Sequence, residues 1–220
     1  MASNRRAFLT AAAVTAPAAA PATAAPGPRP RPSLTAPGAL DELLAGNRRY
    51  AADRPRHPHD DGRPRRPAAA HHPFAVIVGC IDSRVPPELV FDQGLGDLLC
   101  TRTAGQVLDE AVLGSVQYGV EELGVPLVLV LGHERCGAVA ATLEHLRTGA
   151  PVPGHLELLV DEIVPAAHRT RALPGDWAEH TMRAHTTWVR DAIRADPAFG
   201  TAHVEAARFD PGTGLVSLLP

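Results

Sequence analysis

The sequence is most unusual for what it lacks, beginning with lysine. All 21 basic residues among its 220 residues are arginines, which we interpret as a bias of the coding sequence rather than as a functional feature. Strong charge of either sign is missing as well, because the formal net charge is −3 and the sequence pI is about 6.4. A chain with so little excess charge gives no reason to expect a nucleic-acid partner.

Cysteine is also scarce, and the whole chain has only Cys80, Cys100 and Cys136. These residues could form at most one disulfide bond and would leave one thiol unpaired. Cys80 and Cys136 lie in positions typical of metal ligands, where a bound ion would hold them as thiolates, so we favour a metal site over a disulfide. Cys100 falls on a predicted strand and is expected to be a buried packing residue.

Long apolar runs are missing too, and no part of the chain is predicted to span a membrane. Residues 1–25 carry the paired Arg5 and Arg6 before an uncharged, alanine-rich stretch that is too short and too weakly apolar for a transmembrane helix. This pattern resembles a twin-arginine export signal and predicts a periplasmic or extracellular protein. The alternative is a disordered or wrongly assigned N-terminal extension. Residues 26–38 are predicted to be a flexible linker rich in proline and arginine, which leaves residues 39–220 as the folded domain.

Within that domain, predicted strands alternate with predicted helices. Short apolar runs rich in valine and isoleucine indicate strands, and apolar residues at helical spacing indicate helices. The alternation favours an α/β fold with a mainly parallel central sheet, helices on both of its faces, an N-terminal helical arm and a C-terminal hairpin. The predicted strands are 75–79, 97–102, 127–131, 203–209 and 215–219, and the predicted helices are 39–53, 107–123, 137–147, 156–171 and 176–194.

Two short motifs, 53 residues apart, stand at the ends of predicted buried strands. Cys80 follows the first apolar run, and His133 follows another, with Cys136 three residues later. Because the carboxyl ends of parallel strands form the functional crevice of such a sheet, these three side chains can converge on one ion. Two sulfur atoms and one imidazole nitrogen suit tetrahedral Zn²⁺, and three protein ligands leave a fourth position for water, as in catalytic zinc sites.

Asp82 and Arg84 follow Cys80 closely and add chemistry that a purely structural metal site does not need. Asp82 could ligate the zinc directly as a fourth ligand, or it could accept a hydrogen bond from the water at the open position. Arg84 can form a bidentate pair with Asp82 and hold that carboxylate away from the metal. Both roles of Asp82 are open at this point.

Each motif has a simpler interpretation when it is considered alone. The H-x-x-C pattern is commonly an unrelated packed pair, and the aspartate and arginine could form an ordinary surface ion pair. A structural zinc site usually has four cysteine or histidine ligands, whereas the two motifs supply three. Both motifs together, at the ends of adjacent buried strands, favour a catalytic metal site.

These residues resemble the β-class carbonic anhydrases, and the likeness extends over residues 39–220. The matching segments are 46–50, 80–85, 91–98, 102–105 and 132–139. The resemblance implies zinc bound by Cys80, His133 and Cys136, with Asp82 and Arg84 as the catalytic pair. It implies the reversible hydration of CO₂ to bicarbonate and a proton. It also implies a homodimer or a dimer of dimers, in which the N-terminal helix packs on the partner subunit.

The resemblance further implies which residues line the substrate pocket. Tyr118 matches a tyrosine that commonly lines it, and Gly137, next to the last metal ligand, is expected there as well. Two pocket residues depart from the family pattern: His71 stands where many members have a substrate-binding glutamine, and Leu99 stands where an aromatic residue is common. Two alternative functions are the hydrolysis of CS₂ or carbonyl sulfide on the same scaffold and a non-catalytic zinc-binding role.

Overall fold

The computed structural model describes residues 34–56, 72–200 and 202–220. The central sheet is built from five strands, β1 (Ala75–Cys80), β2 (Leu98–Thr103), β3 (Leu127–His133), β4 (His203–Phe209) and β5 (Val216–Leu218). Their order in the sheet is β2–β1–β3–β4–β5. The first four pair in parallel, and β5 runs antiparallel to β4. The predicted mainly parallel sheet and C-terminal hairpin are therefore confirmed.

Helices cover both faces of this sheet. They are α1 (Ala36–Ala51), α2 (Pro87–Val90), α3 (Glu110–Gln117), α4 (Gly137–Thr148), α5 (Leu156–Thr170) and α6 (Trp177–Ala195). On one face, Ile77 of β1 belongs to the same buried cluster as Leu43 of α1. On the other face, Val78 of β1 packs in a cluster with Val116 of α3 and Val189 of α6. Every residue of β1 and β3 is buried, which is why these strands appear in the sequence as unbroken apolar runs.

The predicted linker over residues 26–38 extends too far, because α1 begins at Ala36. The side chain of Thr35 accepts a hydrogen bond from the Gly38 amide at the start of the helix. A proline in the first turn is compatible with helix geometry, since the amide it lacks would have no helical partner there. The proline that made this segment look like a linker is thus part of the helix start.

Only the central part of the predicted helix over residues 107–123 is α-helical. The regular part begins at Glu110, because the side chain of Asp109 accepts a hydrogen bond from the Val112 amide and caps the helix. From Tyr118 to Glu122 the chain forms a π-helical turn. Gly119 lies so close to the sheet in this turn that a Cβ atom there would be 2.8 Å from the side chain of Leu99.

Several predictions for the N-terminal third concern residues outside the described ranges. These are the export signal over residues 1–25, the linker up to residue 33, and His71. Among the helices that are described, none combines the length and the apolar character needed to cross a membrane.

The N-terminal helix is fastened to the sheet domain by a glycine and an asparagine. A Cβ atom at Gly46 would lie 1.8 Å from the carbonyl oxygen of Phe91, so the helix backbone approaches this segment as closely as only glycine allows. The buried Asn47 side chain donates hydrogen bonds to the carbonyls of Val90 and Gly214, at 3.1 and 2.8 Å. The helix α1 is therefore an integral part of the domain.

The sheet topology brings the two motif-bearing strands side by side. Cys80 is the last residue of β1 and His133 is the last residue of β3, and these strands are parallel neighbours. Their side chains consequently emerge at one edge of the sheet, as the sequence predicted.

Candidate metal centre

Cys80, His133 and Cys136 form a buried cluster at the carboxyl edge of the sheet. Each offers one ligand atom, a sulfur or an imidazole nitrogen, and these atoms all lie within 4.8 Å of one another. The structure thus brings together the three residues that were predicted to bind metal. Two sulfurs and one nitrogen at this spacing match the donor set that tetrahedral zinc sites use.

A tight turn returns Cys136 to the vicinity of His133. Arg135, between them, has a φ of 54°, a left-handed conformation that is uncommon for a residue other than glycine. The carbonyl oxygen of Arg135 accepts a hydrogen bond of 3.2 Å from the Arg84 guanidinium. Cys136 then directly precedes the first residue of α4, where the helix dipole favours the thiolate form of its side chain.

The imidazole of His133 is oriented as a metal ligand requires. Its Nδ1 atom lies 2.9 Å from the Glu134 carbonyl oxygen, which can only accept a hydrogen bond, so Nδ1 carries the proton. The Nε2 atom then presents a lone pair. This atom is buried and has no hydrogen-bond partner within the part of the chain that the structure describes. A bound cation would satisfy it, and the site therefore fits a metal ion.

The two cysteine sulfurs influence each other strongly. A hydrogen bond from Cys136 lowers the pKa of Cys80, and a hydrogen bond from the Gly105 amide acts in the same direction. The same contact with Cys80, together with burial, raises the pKa of Cys136. The pair by itself therefore favours a single thiolate, and a bound cation is what stabilises the second.

Asp82 is held in a bidentate pair with Arg84. The guanidinium donates from Nε to Oδ1 at 2.9 Å and from Nη2 to Oδ2 at 2.7 Å, and the Arg84 amide also donates to Oδ1 at 2.9 Å. These hydrogen bonds hold the pKa of the Asp82 carboxyl well below its usual range. The Oδ2 atom is 3.9 Å from Nε2 of His133, so the carboxylate borders the metal cluster while it is engaged with arginine. A role for Asp82 as a fourth ligand stays a prediction.

Arg102 fixes the segment that connects the first ligand to Asp82. Its guanidinium donates to the carbonyl oxygen of Cys80 at 2.8 Å and to that of Asp82 at 2.6 Å. The sequence contained this arginine within one of the family-like segments, but nothing in its spacing indicated a role. Its contacts depend on the pairing of β2 with β1.

The predicted pocket residues fall into separate places in the described chain. Leu99 and Tyr118 line one cavity of about 430 Å³, beside β2 and α3. Gly137 lines another cavity of about 430 Å³, between α4 and α5. His71 lies outside the described residues. A shared pocket formed by these residues is therefore still a prediction, which rests on the expected partner subunit.

The expectation for Cys100 is wrong, because its side chain is exposed in the described chain. The residue lies on β2, which has a sheet neighbour on one side only and contains no buried residue. A strand at the edge of a sheet can carry apolar residues without burying them. Cys100 is not among the residues of the metal cluster.

A family model described as carbonic anhydrase matches residues 75–198 of the chain. Carbonic anhydrase 2 of Mycobacterium tuberculosis H37Rv is 48% identical over 129 residues, which is 58% of this chain and 62% of that protein. The carbonic anhydrase of Mycolicibacterium smegmatis is 48% identical over 130 residues, covering 58% of this chain and 63% of that protein. The chain thus matches less than two thirds of the length of these curated relatives.

Solved structures with the same fold are also similar. A Coccomyxa β-carbonic anhydrase in complex with acetazolamide superposes with a TM-score of 0.62 at 24% identity, covering 82% of this chain and 81% of that one. A tetrameric β-carbonic anhydrase from Sordaria macrospora superposes with a TM-score of 0.60 at 22% identity, covering 69% of this chain and 83% of that one.

Proposed function

This chain belongs to the β-class carbonic anhydrase family, and from that premise we propose that it catalyses the reversible hydration of CO₂ to bicarbonate and a proton. The observation that carries this proposal is the pairing of a buried Cys–His–Cys cluster with an adjacent aspartate–arginine pair. A structural metal site needs the cluster alone. An ionised, oriented carboxylate beside the cluster is what a hydrolytic or hydration reaction would use.

We propose zinc as the metal, held by Cys80, His133 and Cys136. The donor set of two thiolates and one neutral imidazole suits zinc better than a hard, oxygen-preferring cation. When bound with one position open, zinc supplies Lewis acidity that makes a water molecule a good nucleophile near neutral pH. The cluster offers three protein ligands and is consistent with such an open position.

In this proposal Asp82 orients the attacking water rather than taking its proton. Its carboxylate stays ionised because Arg84 lowers its pKa, so at neutral pH it is a hydrogen-bond acceptor only. Oδ1 accepts two hydrogen bonds from Arg84, whereas Oδ2 accepts only one and keeps a second lone pair for the water. An acceptor fixed at this place restricts the rotation of the water and directs its oxygen towards the carbon of CO₂. The oxygen–carbon bond would form as the π electrons of one C=O bond move onto its oxygen, and the O–H bond of the water would break, so that bicarbonate is left and the proton passes to solvent.

The experiment that tests this function is stopped-flow CO₂ hydration by the zinc-loaded protein across about pH 6.5 to 9, followed by a pH indicator. Rapid hydration that needs bound zinc is the expected result. The same preparation should be assayed with CS₂ and carbonyl sulfide, since the family scaffold does not by itself select among these substrates. Zinc-loaded protein that hydrates no CO₂ over this range would contradict the proposal.

We also propose that the protein is exported and that it assembles as a homodimer or a dimer of dimers. The paired Arg5 and Arg6 and the following small residues support export, and the family resemblance supports assembly. Sedimentation of residues 26–220 measures the second point. Fusion of residues 1–38 to a reporter that is active only after export, with and without replacement of both arginines by lysine, measures the first.

A further inference from the structure

We propose that His185 is a positioning residue for the metal centre, which acts from α6 by fixing Gly105, the residue whose amide hydrogen bonds the ligand sulfur of Cys80. The inference rests on the metal site of the proposed function, though not on the reaction. The contacts run from the His185 ring to the carbonyl of Gly105, and from the amide of Gly105 to Cys80. His185 itself is not a ligand in the cluster.

The His185 ring is fully buried and makes one hydrogen bond to the residues that the structure describes. Its Nε2 atom lies 3.0 Å from the Gly105 carbonyl oxygen, so Nε2 must carry a proton. Burial lowers the pKa of His185 to about 4, and the ring is therefore neutral, with a bare Nδ1 atom. This Nδ1 atom has no partner among the residues that the structure describes. The single bond that the ring makes is thus directed at the turn beside the metal cluster.

Gly105 lies in a turn of left-handed residues, which the Thr103 hydroxyl spans by donating to the Val107 carbonyl at 2.7 Å. The φ of Gly105 is 69°, and a Cβ atom there would lie 2.9 Å from Ile163 and 3.1 Å from Ala138, so the position requires glycine. The next residue, Gln106, also has a positive φ of 48°, which is uncommon for a side chain of this size. Two successive left-handed residues persist only where the surroundings fix them.

Two adjacent residues of α6 add contacts that fix this turn from outside. Thr186, next to His185, accepts a hydrogen bond of 2.9 Å at Oγ1 from the Gln106 side chain. Thr186 also donates to the carbonyl of Met182 at 2.8 Å, which holds its hydroxyl against the helix. Helix α6 thus contacts both left-handed residues of the turn. His185 donates to the Gly105 carbonyl, and Thr186 accepts from the side-chain amide of Gln106.

The turn places the Gly105 amide beside the metal centre. The amide nitrogen lies 3.3 Å from Sγ of Cys80, within the range of a hydrogen bond to sulfur. A hydrogen bond of this kind draws electron density from a thiolate ligand and fixes its direction, which tunes the affinity and acidity of the bound metal. If His185 cannot donate, the Gly105 carbonyl is released and the backbone angles of Gly105 lose this restraint, so the hydrogen bond from the Gly105 amide to Cys80 lengthens or is lost.

The test uses ¹¹³Cd-loaded protein and three variants. His185→Leu removes the donor while keeping an apolar side chain of similar bulk, and His185→Gln retains a side-chain N–H that can reach the same carbonyl. Thr181→Val is the matched control, because Thr181 is also a buried polar residue of α6 but bonds to Thr170 of α5. The readout is the scalar coupling between ¹¹³Cd and the Gly105 amide proton across the sulfur, which requires no turnover.

We expect the coupling to be present in the wild type, Thr181→Val and His185→Gln, and to be lost or at least halved in His185→Leu. Metal affinity, measured by competition with a chromophoric chelator, should fall about tenfold in His185→Leu alone. Unchanged coupling and affinity in a folded His185→Leu would overturn the proposal, and so would equal losses in Thr181→Val. If His185→Leu does not fold, His185→Asn, whose amide is too short to reach Gly105, replaces it under the same criteria. None of these measurements involves CO₂, so a failed hydration assay leaves them interpretable.

Discussion

The guanidinium of Arg84 engages both carboxylate oxygens of Asp82, at 2.9 Å from Nε to Oδ1 and at 2.7 Å from Nη2 to Oδ2. This pairing affects the charge of the Asp82 carboxylate and its ability to accept a proton in different ways. Asp82 keeps its negative charge at every physiological pH, and it is poorly suited to remove a proton, because its pKa is well below the usual range. Its proposed contribution is therefore orientation.

Replacement of Asp82 by asparagine tests that contribution. We expect kcat/KM for CO₂ hydration to fall by about 100-fold or more, because the amide donates as well as accepts and no longer pairs with Arg84. Zinc content should stay at one ion per chain, since Cys80, His133 and Cys136 are unchanged. Stopped-flow kinetics and metal analysis of the same sample provide both measurements.

Asp161→Asn is the control for this change, because Asp161 lies exposed on α5. It should keep the activity of the wild type. Full activity in Asp82→Asn would remove Asp82 from the mechanism, and loss of zinc from that variant would indicate a ligand instead.

Replacement of Cys136 by serine tests the metal cluster. The variant should retain far less than one zinc per chain after dialysis, and its unfolding midpoint should fall to that of chelator-treated wild type, because a metal that binds only the folded chain stabilises it. Cys100→Ser is the matched control, since its thiol is exposed and outside the cluster. Equal zinc content in the two variants would be incompatible with the assigned ligands.

The buried histidine on α6 should make the stability of the protein depend on pH. The pKa of His185 is about 4 in the folded chain, against 6.5 in its ordinary state, so the unfolded chain binds the proton first as pH falls. Stability contributed by the neutral ring is complete above pH 6.5 and is lost progressively down to about pH 4, by an amount on the order of 3 kcal/mol.

Urea unfolding of the wild type and His185→Gln, at the same metal content and from pH 7.5 to 4.5, measures this loss. The stability of the wild type should fall more steeply than that of the variant below pH 6.5. Parallel curves would mean that the folded histidine titrates normally.

The attachment of α1 provides a test that is independent of the metal. Gly46→Ala places a methyl group against the Phe91 carbonyl, where there is no space, and should lower the free energy of unfolding by roughly 2–3 kcal/mol. Gly38→Ala, in the same helix, meets only ordinary contacts and should be neutral or gain up to about 1 kcal/mol. Urea denaturation distinguishes the two, and equal values for both would mean that α1 is not seated as described.

The sequence was sufficient to predict that Cys80, His133 and Cys136 lie together, for a simple physical reason. A strand buried on both faces is an unbroken apolar run, so Cys80 and His133 could be placed at strand ends without knowledge of the fold. Parallel strands end at one edge, and this brings the two residues together.

The supporting residues could not be predicted in that way. Gly105 donates a hydrogen bond from its backbone amide, and every residue except proline has such an amide, so the sequence does not indicate this role. His185 contacts Gly105 across 80 residues of chain, through a packing contact that no periodicity encodes. Cys100 was misjudged because burial depends on the place of β2 in the sheet, which the residues of one strand do not contain.

The parallel pairing of β1 with β3 has a consequence for how the protein folds. Cys80 and His133 are 53 residues apart, and the chain between them includes β2 and α3. Closing so long a loop is slow compared with forming a helix or a hairpin, so the third ligand joins the other two only after this non-local pairing is made. In an unfolded chain, only His133 and Cys136 are close enough in sequence to bind one ion together. We therefore expect the rate at which a refolding chain captures metal to be limited by the pairing of β1 with β3 and not by encounter with the ion, so that metal uptake reports when this pairing forms.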